Sequence, residues 1–271
     1  MRIKAAICHI SFWRRAAFVV LSVSVLPLLI VAFYNRMPML DDWHWMSYLY
    51  EAISRRENLG ELFLTFAQNV RHLYLTEHGA YTNLFLSQFV PFLFHERLQF
   101  LTTYVTLIPL IIANLFAFHH LFGTLFHCPE VGDITGCMLS ILEIHFLPQP
   151  LSAFYWYTAG IYYTTYYSLI VIQVSLMLLA LIECELPRKR FFWICLLALL
   201  IEGGNLIITL LHVEIMLIFA VVYMIRLKGF SLQGCTMGIV SVVGFLVNVL
   251  APSQTARVQS TVDEKISMGG W

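Results

Sequence analysis

The sequence predicts an all-α protein: a polytopic transmembrane helix bundle with amphipathic surface helices after the first transmembrane helix. Three observations lead there. Of 271 residues, 59% are hydrophobic and only 12% are charged, against about 25% charged in soluble domains. The apolar residues gather into runs near the length of about 20 residues that crosses a bilayer. Tyr and Trp, within an aromatic content of 15%, cluster at the ends of those runs, where such rings favour the membrane interface. A mean hydropathy of +0.77 makes a lipid bilayer the expected surrounding. Net charge is zero, so nothing favours nucleic acid as a partner.

The first run, Ala16 to Tyr34, follows Arg2, Lys4, Arg14 and Arg15. It exceeds the core of about 7–15 residues of a secretory signal, and no small-x-small cleavage site follows. An uncleaved helix with a cytoplasmic N-terminus is expected. Residues 35–80 then form an extracytoplasmic loop. Trp45, Leu49, Ala52 and Ile53 share one helical face, and Leu62, Phe66, Val70 and Leu73 form another stripe beyond Asn58-Leu59-Gly60. Two amphipathic helices along the membrane surface fit this spacing, with a small soluble hairpin as the alternative.

Further apolar runs lie near 81–95, 98–122, 134–150, 161–184, 191–202, 206–226 and 234–250. Gly203 and Gly204 together disfavour a continuous helix by about 2 kcal/mol, so a break or kink is expected at "EGGN", residues 202–205. Lys and Arg placement puts "PRKR" (187–190) and "RLK" (226–228) in the cytoplasm. "YWYTAGIYY" (155–163), "EGGN" and the tail 251–271 are then extracytoplasmic. This count agrees with the N-terminus only if one run between 81 and 150 fails to cross. One candidate is 81–95, which is short and carries Asn83, Gln88 and Pro91; the other is 134–150, with Glu143, His145 and two prolines. The whole chain, 1–271, reads as a single transmembrane domain. Its polar end, "STVDEKISMGGW", suits either a truncated member of a longer family or an outside loop. The six cysteines include no CxxC pair and no His/Cys zinc cluster, so they read as structural thiols.

The stretch with the most chemistry is "LDDWHW", residues 40–45. Asp41 and Asp42 lie at the water-facing exit of the first helix. Either can cap the helix that follows, and either can act as a general base. Adjacent carboxylates also suit Mg²⁺ or Mn²⁺. An acid directly after the first transmembrane helix, then surface helices, then a multi-pass bundle, resembles the GT-C class of membrane glycosyltransferases. "WYTAGIYY", "EGGN" and "APSQTAR" (251–257) are similar to segments of an uncharacterised bacterial multi-pass family grouped with that class. The resemblance implies a polyprenyl-phosphate-linked sugar donor and a glycan or lipid acceptor. It implies a site on the extracytoplasmic face of the inner (plasma) membrane of a bacterium, serving the cell envelope. Asp41 or Asp42 takes the position of the base or metal-holding acid. Members of the class usually have more transmembrane helices than this chain.

A lipid-phosphate donor calls for cations near its leaving phosphate, and the outside arginines are Arg71 and Arg257. His78, near Arg71, is a candidate for proton transfer or substrate contact. Trp156, Tyr162 and Tyr163 are the rings chosen for stacking on a sugar, although an interfacial belt explains most of their neighbours. Glu202 and Asn205 sit near the outer mouth of the bundle, and an ionisable group there is a functional candidate. His212 and Glu214 read as partners for neighbouring helices. One-step displacement with a single base implies inversion. A transporter or lipid flippase, and a non-catalytic subunit of an envelope-glycan assembly complex, are the alternatives. Polarity that collects outside, beside the first helix, favours surface chemistry over transport.

Overall fold

The computed structural model describes residues 2–255, with side chains from Ile10 onward. It is 83% helical, without a strand among the described residues. Five segments are long and apolar enough to cross a membrane: Ile10–Ala32, Glu96–Phe126, Tyr157–Glu183, Leu206–Arg226 and Leu232–Val249. The protein is therefore the multi-pass helical bundle that its composition predicts.

Helix α1 (Arg2–Ala32) packs on the antiparallel hairpin of α5 (Leu101–Phe126) and α6 (Pro129–Phe146). Leu21, Val25, Leu107, Leu110, Cys137, Ile144 and Phe154 form their shared core. A second group joins α8 (Tyr166–Glu183), α9 (Arg188–Glu202), α10 (Leu206–Arg226) and α11 (Leu232–Val249). It packs around Ile194, Ala198, Met216, Phe219 and Met237. Helices α6 and α9 run between the same two ends as the five apolar spans. The first carries Glu130, Asp133 and Glu143, and the second has only 15 residues.

The end at which α1 leaves the bundle is called here the upper end. There the chain forms α2 (Asp41–Ser54), α3 (Leu59–Thr76) and α4 (Tyr81–Ser87). The first two bury Trp45, Met46, Leu49 and Ala52, and Phe66 and Leu73, close to the faces that the spacing predicts. Asn58 starts α3 with a capping box, its side chain accepting from Glu61 N while Glu61 accepts from Asn58 N; such a cap satisfies two orphan amides.

The run 81–95 does not cross. It gives the seven-residue α4 and a 3₁₀ turn at Pro91–Leu93. At about 1.5 Å per residue such a helix covers roughly 10 Å, a third of a bilayer core. Its polar groups explain the stop. Asn69 donates to Gln88 Oε1 at 3.0 Å, and Gln88 donates back to Leu84 O at 3.1 Å, while Pro91 cannot continue a helix. The run 134–150 instead becomes α6, which ends at Phe146 before Pro148 and Pro150. Of the two runs in question, 81–95 is too short to cross and 134–150 is one continuous helix that does not dip and return.

"EGGN" breaks α9 from α10 as expected, and the turn has a second cause. A Cβ on Gly203 would lie 2.1 Å from Thr82 Oγ1, and one on Gly204 would lie 2.6 Å from the Tyr166 ring. Thr82 N and Asn83 N both donate to Gly203 O at 3.0 Å, so the glycines let α4 close onto the turn. Tyr74 OH reaches Val247 O at 2.7 Å, which fastens the surface helices to α11.

The α5–α6 hairpin is tight for a similar reason. A Cβ on Gly132 would lie 2.2 Å from Phe118 O, and one on Gly136 would lie 3.1 Å from Asn114 O. Small residues four apart let helix backbones approach closely. Gly132→Ala should therefore force the hairpin apart, because the obstacle is backbone. The expected cost is about 1–3 kcal/mol, typical of overpacking. A lower thermal unfolding midpoint in detergent would register it; an unchanged midpoint would refute the close approach.

Candidate functional site

A cavity of about 1100 Å³ lies at the upper end. It is bounded by α2, the loop after α3, the upper ends of α5 and α6, and the segment from Pro148 to Tyr167. That segment is irregular by necessity. Pro148 and Pro150 end α6, and π-helical turns at Leu151–Tyr155 and Gly160–Thr165 flank a single α-turn, α7 (Tyr157–Ala159). Such wide turns occur often at functional sites. Leu142, Phe146, Tyr163 and Tyr167 line the cavity and are also exposed on the bundle. The cavity therefore opens at the perimeter, between α6 and α8.

Six of the sequence-selected residues meet here: Asp41, His78, Trp156, Tyr162, Tyr163 and Asn205. The His78 ring lies 5.8 Å from that of Trp45 and 6.4 Å from that of Tyr162, and Tyr162 lies 6.4 Å from Tyr163. Asn205 donates to Tyr163 OH at 3.4 Å and caps α10 by accepting from Ile207 N at 2.9 Å. The result is a line of rings from the surface helices to the bundle.

The acidic doublet divides. Asp41 is exposed and lines the cavity. Asp42 is fully buried. Its Oδ1 accepts from Thr158 N at 2.9 Å and Thr158 Oγ1 at 2.6 Å, and its Oδ2 accepts from Met39 N at 3.0 Å. Burial pushes the Asp42 carboxyl above its ordinary range, and the bonds from Thr158 and Met39 pull against that rise. With both oxygens engaged, Asp42 fits a brace between the first loop and α7, not a base. The same bonds hold Leu40 at φ 41°, a left-handed conformation that costs a branched residue about 1–3 kcal/mol. Neither acid caps α2 by a side-chain bond.

Asp42→Asn should cost at least about 2 kcal/mol, because one side of the amide must present a donor where a backbone N–H already points. A lowered unfolding midpoint, with faster proteolysis around residues 36–40, would report it. Wild-type stability in this variant would deny the brace.

The other selected residues lie apart from the cavity. Arg71 is exposed on α3 and does not line it. Glu202 is buried at the α9 end, among α8, α10 and α11, where His212 Nδ1 stands 2.7 Å from its Oε1 and Ser241 also donates to it. The doublet and Glu202 therefore belong to different sites. His212 does satisfy a neighbouring helix, as its position suggests. Arg257 lies outside the described residues. Among the described lining residues there is no Lys or Arg, and His78 is the basic side chain. No three His, Cys, Asp or Glu side chains gather to hold a metal ion among the described residues. Since Asp42 is committed to Thr158 and Met39, the doublet does not fit the paired ligand set expected for Mg²⁺ or Mn²⁺.

Sequence reasoning missed Glu143 as a site residue. It lines the cavity from α6, accepting from Tyr167 OH at 2.5 Å and from Asn114 Nδ2 at 2.6 Å. An acid inside an apolar run was the available signal. No protein-family model, no curated protein and no solved structure matches this chain.

Proposed function

We propose that this protein is a membrane glycosyltransferase that moves a sugar from a polyprenyl-phosphate-linked donor to an acceptor hydroxyl on the extracytoplasmic face. The observation that carries the reading is the perimeter cavity with Asp41 at its rim and Trp156, Tyr162 and Tyr163 in its wall. A lipid-linked substrate needs an opening toward the bilayer and a polar, ring-lined chamber for its head. This cavity opens between α6 and α8, and its largely apolar wall carries Asp41, His78, Glu143 and several rings, which supports the reading. Stacking on Trp and Tyr faces suits a sugar ring.

In the proposed step the acceptor oxygen attacks the anomeric carbon. Asp41 takes the hydroxyl proton as the bond forms. The bond from the anomeric carbon to the phosphate oxygen breaks, and its electron pair leaves with the polyprenyl phosphate. His78, which lines the chamber, donates a hydrogen bond to that phosphate in this reading. One displacement inverts the anomeric centre. The N-terminus and "PRKR" are then cytoplasmic, and the acceptor is a glycan or lipid of the cell envelope.

The test uses the full chain in proteoliposomes with polyprenyl-phosphate sugars of defined head. Release of polyprenyl phosphate that depends on an added acceptor and on Asp41 would support the reading. No release with any such donor, from correctly folded protein, would overturn it.

A further inference from the structure

Glu143 is a carboxylate in an apolar stretch near the upper end of α6, and among the described residues it has no ion-pair partner. The ion pairs among the described residues involve Asp133, Glu77, Glu51, Glu183 and Glu202, and not Glu143. Both its oxygens accept hydrogen bonds, from Tyr167 OH and Asn114 Nδ2. Two donors are thus aimed at its two oxygens and fix their orientation. A carboxylate in apolar surroundings is costly, and such groups ordinarily face a cavity and pair with an opposite charge. Here the cavity is present, and among the described residues no Lys or Arg faces the carboxylate. The same chamber holds a second acid, Asp41, at its rim, and among the described residues its lining contains no Lys or Arg. Trp156, Tyr163 and Tyr167 line it as well, and such ring faces attract cations.

We infer that the cavity binds a ligand head carrying an ammonium group, with Glu143 as its counter-charge and the surrounding rings as its walls. The Glu143–Tyr167–Asn114 cluster fixes the carboxylate before the ligand arrives, so little ordering cost remains at binding. An anionic substituent at the Glu143 end meets a carboxylate and is disfavoured, whereas the donor phosphate lies at the His78 side. A neutral head binds without the charge pairing. This deepens the glycosyltransferase reading and rests on it only for where the amine sits: in that reaction it is an amino substituent of the transferred sugar, while the phosphate stays at the His78 side of the chamber.

The experiment measures binding and requires no turnover. The full-length protein is placed in phosphatidylglycerol nanodiscs, and three octyl glycosides of equal chain length are titrated: glucosamine, N-acetylglucosamine and glucose. Binding is read from tryptophan fluorescence, with Trp156→Phe locating the signal in the cavity and Glu143→Gln testing the counter-charge. Wild type should bind the free amine at least about tenfold more tightly than the other two, the scale of one desolvated charge contact. Glu143→Gln should bring all three within about threefold of one another. Equal affinity of wild type for the amine and its N-acetyl form would overturn the inference even if the Gln variant does not fold. A preference that survives in Glu143→Gln would overturn it too. Selective amine binding without sugar transfer would remove the transferase reading alone, and transfer that needs Asp41 without amine selectivity would remove this inference alone.

Discussion

Replacing Asp41 with Asn should lower the transfer rate by about 10²–10⁴, the usual contribution of a positioned general base, and leave the fold intact. The second half of that expectation follows from geometry. Asp41 is exposed at the first turn of α2 and makes no capping bond, so its replacement removes a reactive group and little else. Asp42→Asn should do the reverse, because its oxygens hold Met39 and Thr158. The pair of variants separates chemistry from scaffolding at adjacent positions. In proteoliposomes, Asp41→Asn should show a depressed rate at an unchanged unfolding midpoint, with donor affinity nearly preserved, since the base acts only as the proton moves. Asp42→Asn should show a depressed midpoint, with activity lost in proportion to folded protein. A fully active Asp41→Asn would leave the cavity as a binding chamber without this base.

Much of the fold was legible because bilayer length and helical spacing are local properties. The spans, the two surface helices and the break at Gly203-Gly204 could each be read within a window of residues. The run 81–95 was harder. Its failure to cross depends on Gln88 meeting Asn69 on α3, a contact that hydropathy does not register. Only part of the cavity lining was legible in the sequence: Arg71 and Glu202 lie apart from it, Asp42 is committed elsewhere and Glu143 was not selected. Asp41, His78, Trp156, Tyr162, Tyr163 and Asn205 share one chamber because the loops and helix ends that carry them gather at the upper end of the bundle. Which carboxylate of the doublet faces inward is decided by Thr158, 116 residues away along the chain. Glu202 shares the upper end yet faces a different helix group, because a Cβ on Gly244 would lie 2.8 Å from its own Cβ and α11 closes over it. Glu143 was visible as an acid in an apolar run. Its use required knowing that α6 turns that residue toward a cavity and not toward α1. The Gly132–Gly136 spacing on α6 was a readable signal for a close helix pair.

The other large effect is expected far from the cavity. His212→Ala should destabilise the protein by about 3–5 kcal/mol, the cost of breaking a buried acid–imidazole pair by removing one partner. Glu202 and His212 are both fully buried at the side chain. His212 Nδ1 faces Glu202 Oε1 at 2.7 Å, and its Nε2 faces Gln173 Oε1 at 2.5 Å. Gln173 is oriented by its own amide nitrogen, which donates to Ile194 O at 2.8 Å. Both ring nitrogens thus face oxygen atoms, while Glu202 Oε2 is buried without a hydrogen-bond partner among the described residues. Asn248 holds the peptide above it, donating to Glu202 O and Gly204 O at 2.9 Å. Four helices, α8 to α11, therefore meet in one polar knot. Removing the ring strands the carboxylate and the Gln173 oxygen together. On the scale of a domain of this size the midpoint should fall by roughly 6–20 °C. The double replacement Glu202→Met with His212→Leu should recover most of the loss, because an apolar pair of similar volume needs no partner in a bilayer. If His212→Ala unfolds at the wild-type temperature, or if the double variant is worse than the single, the knot contributes packing alone and the acid–imidazole pair is not what binds these helices.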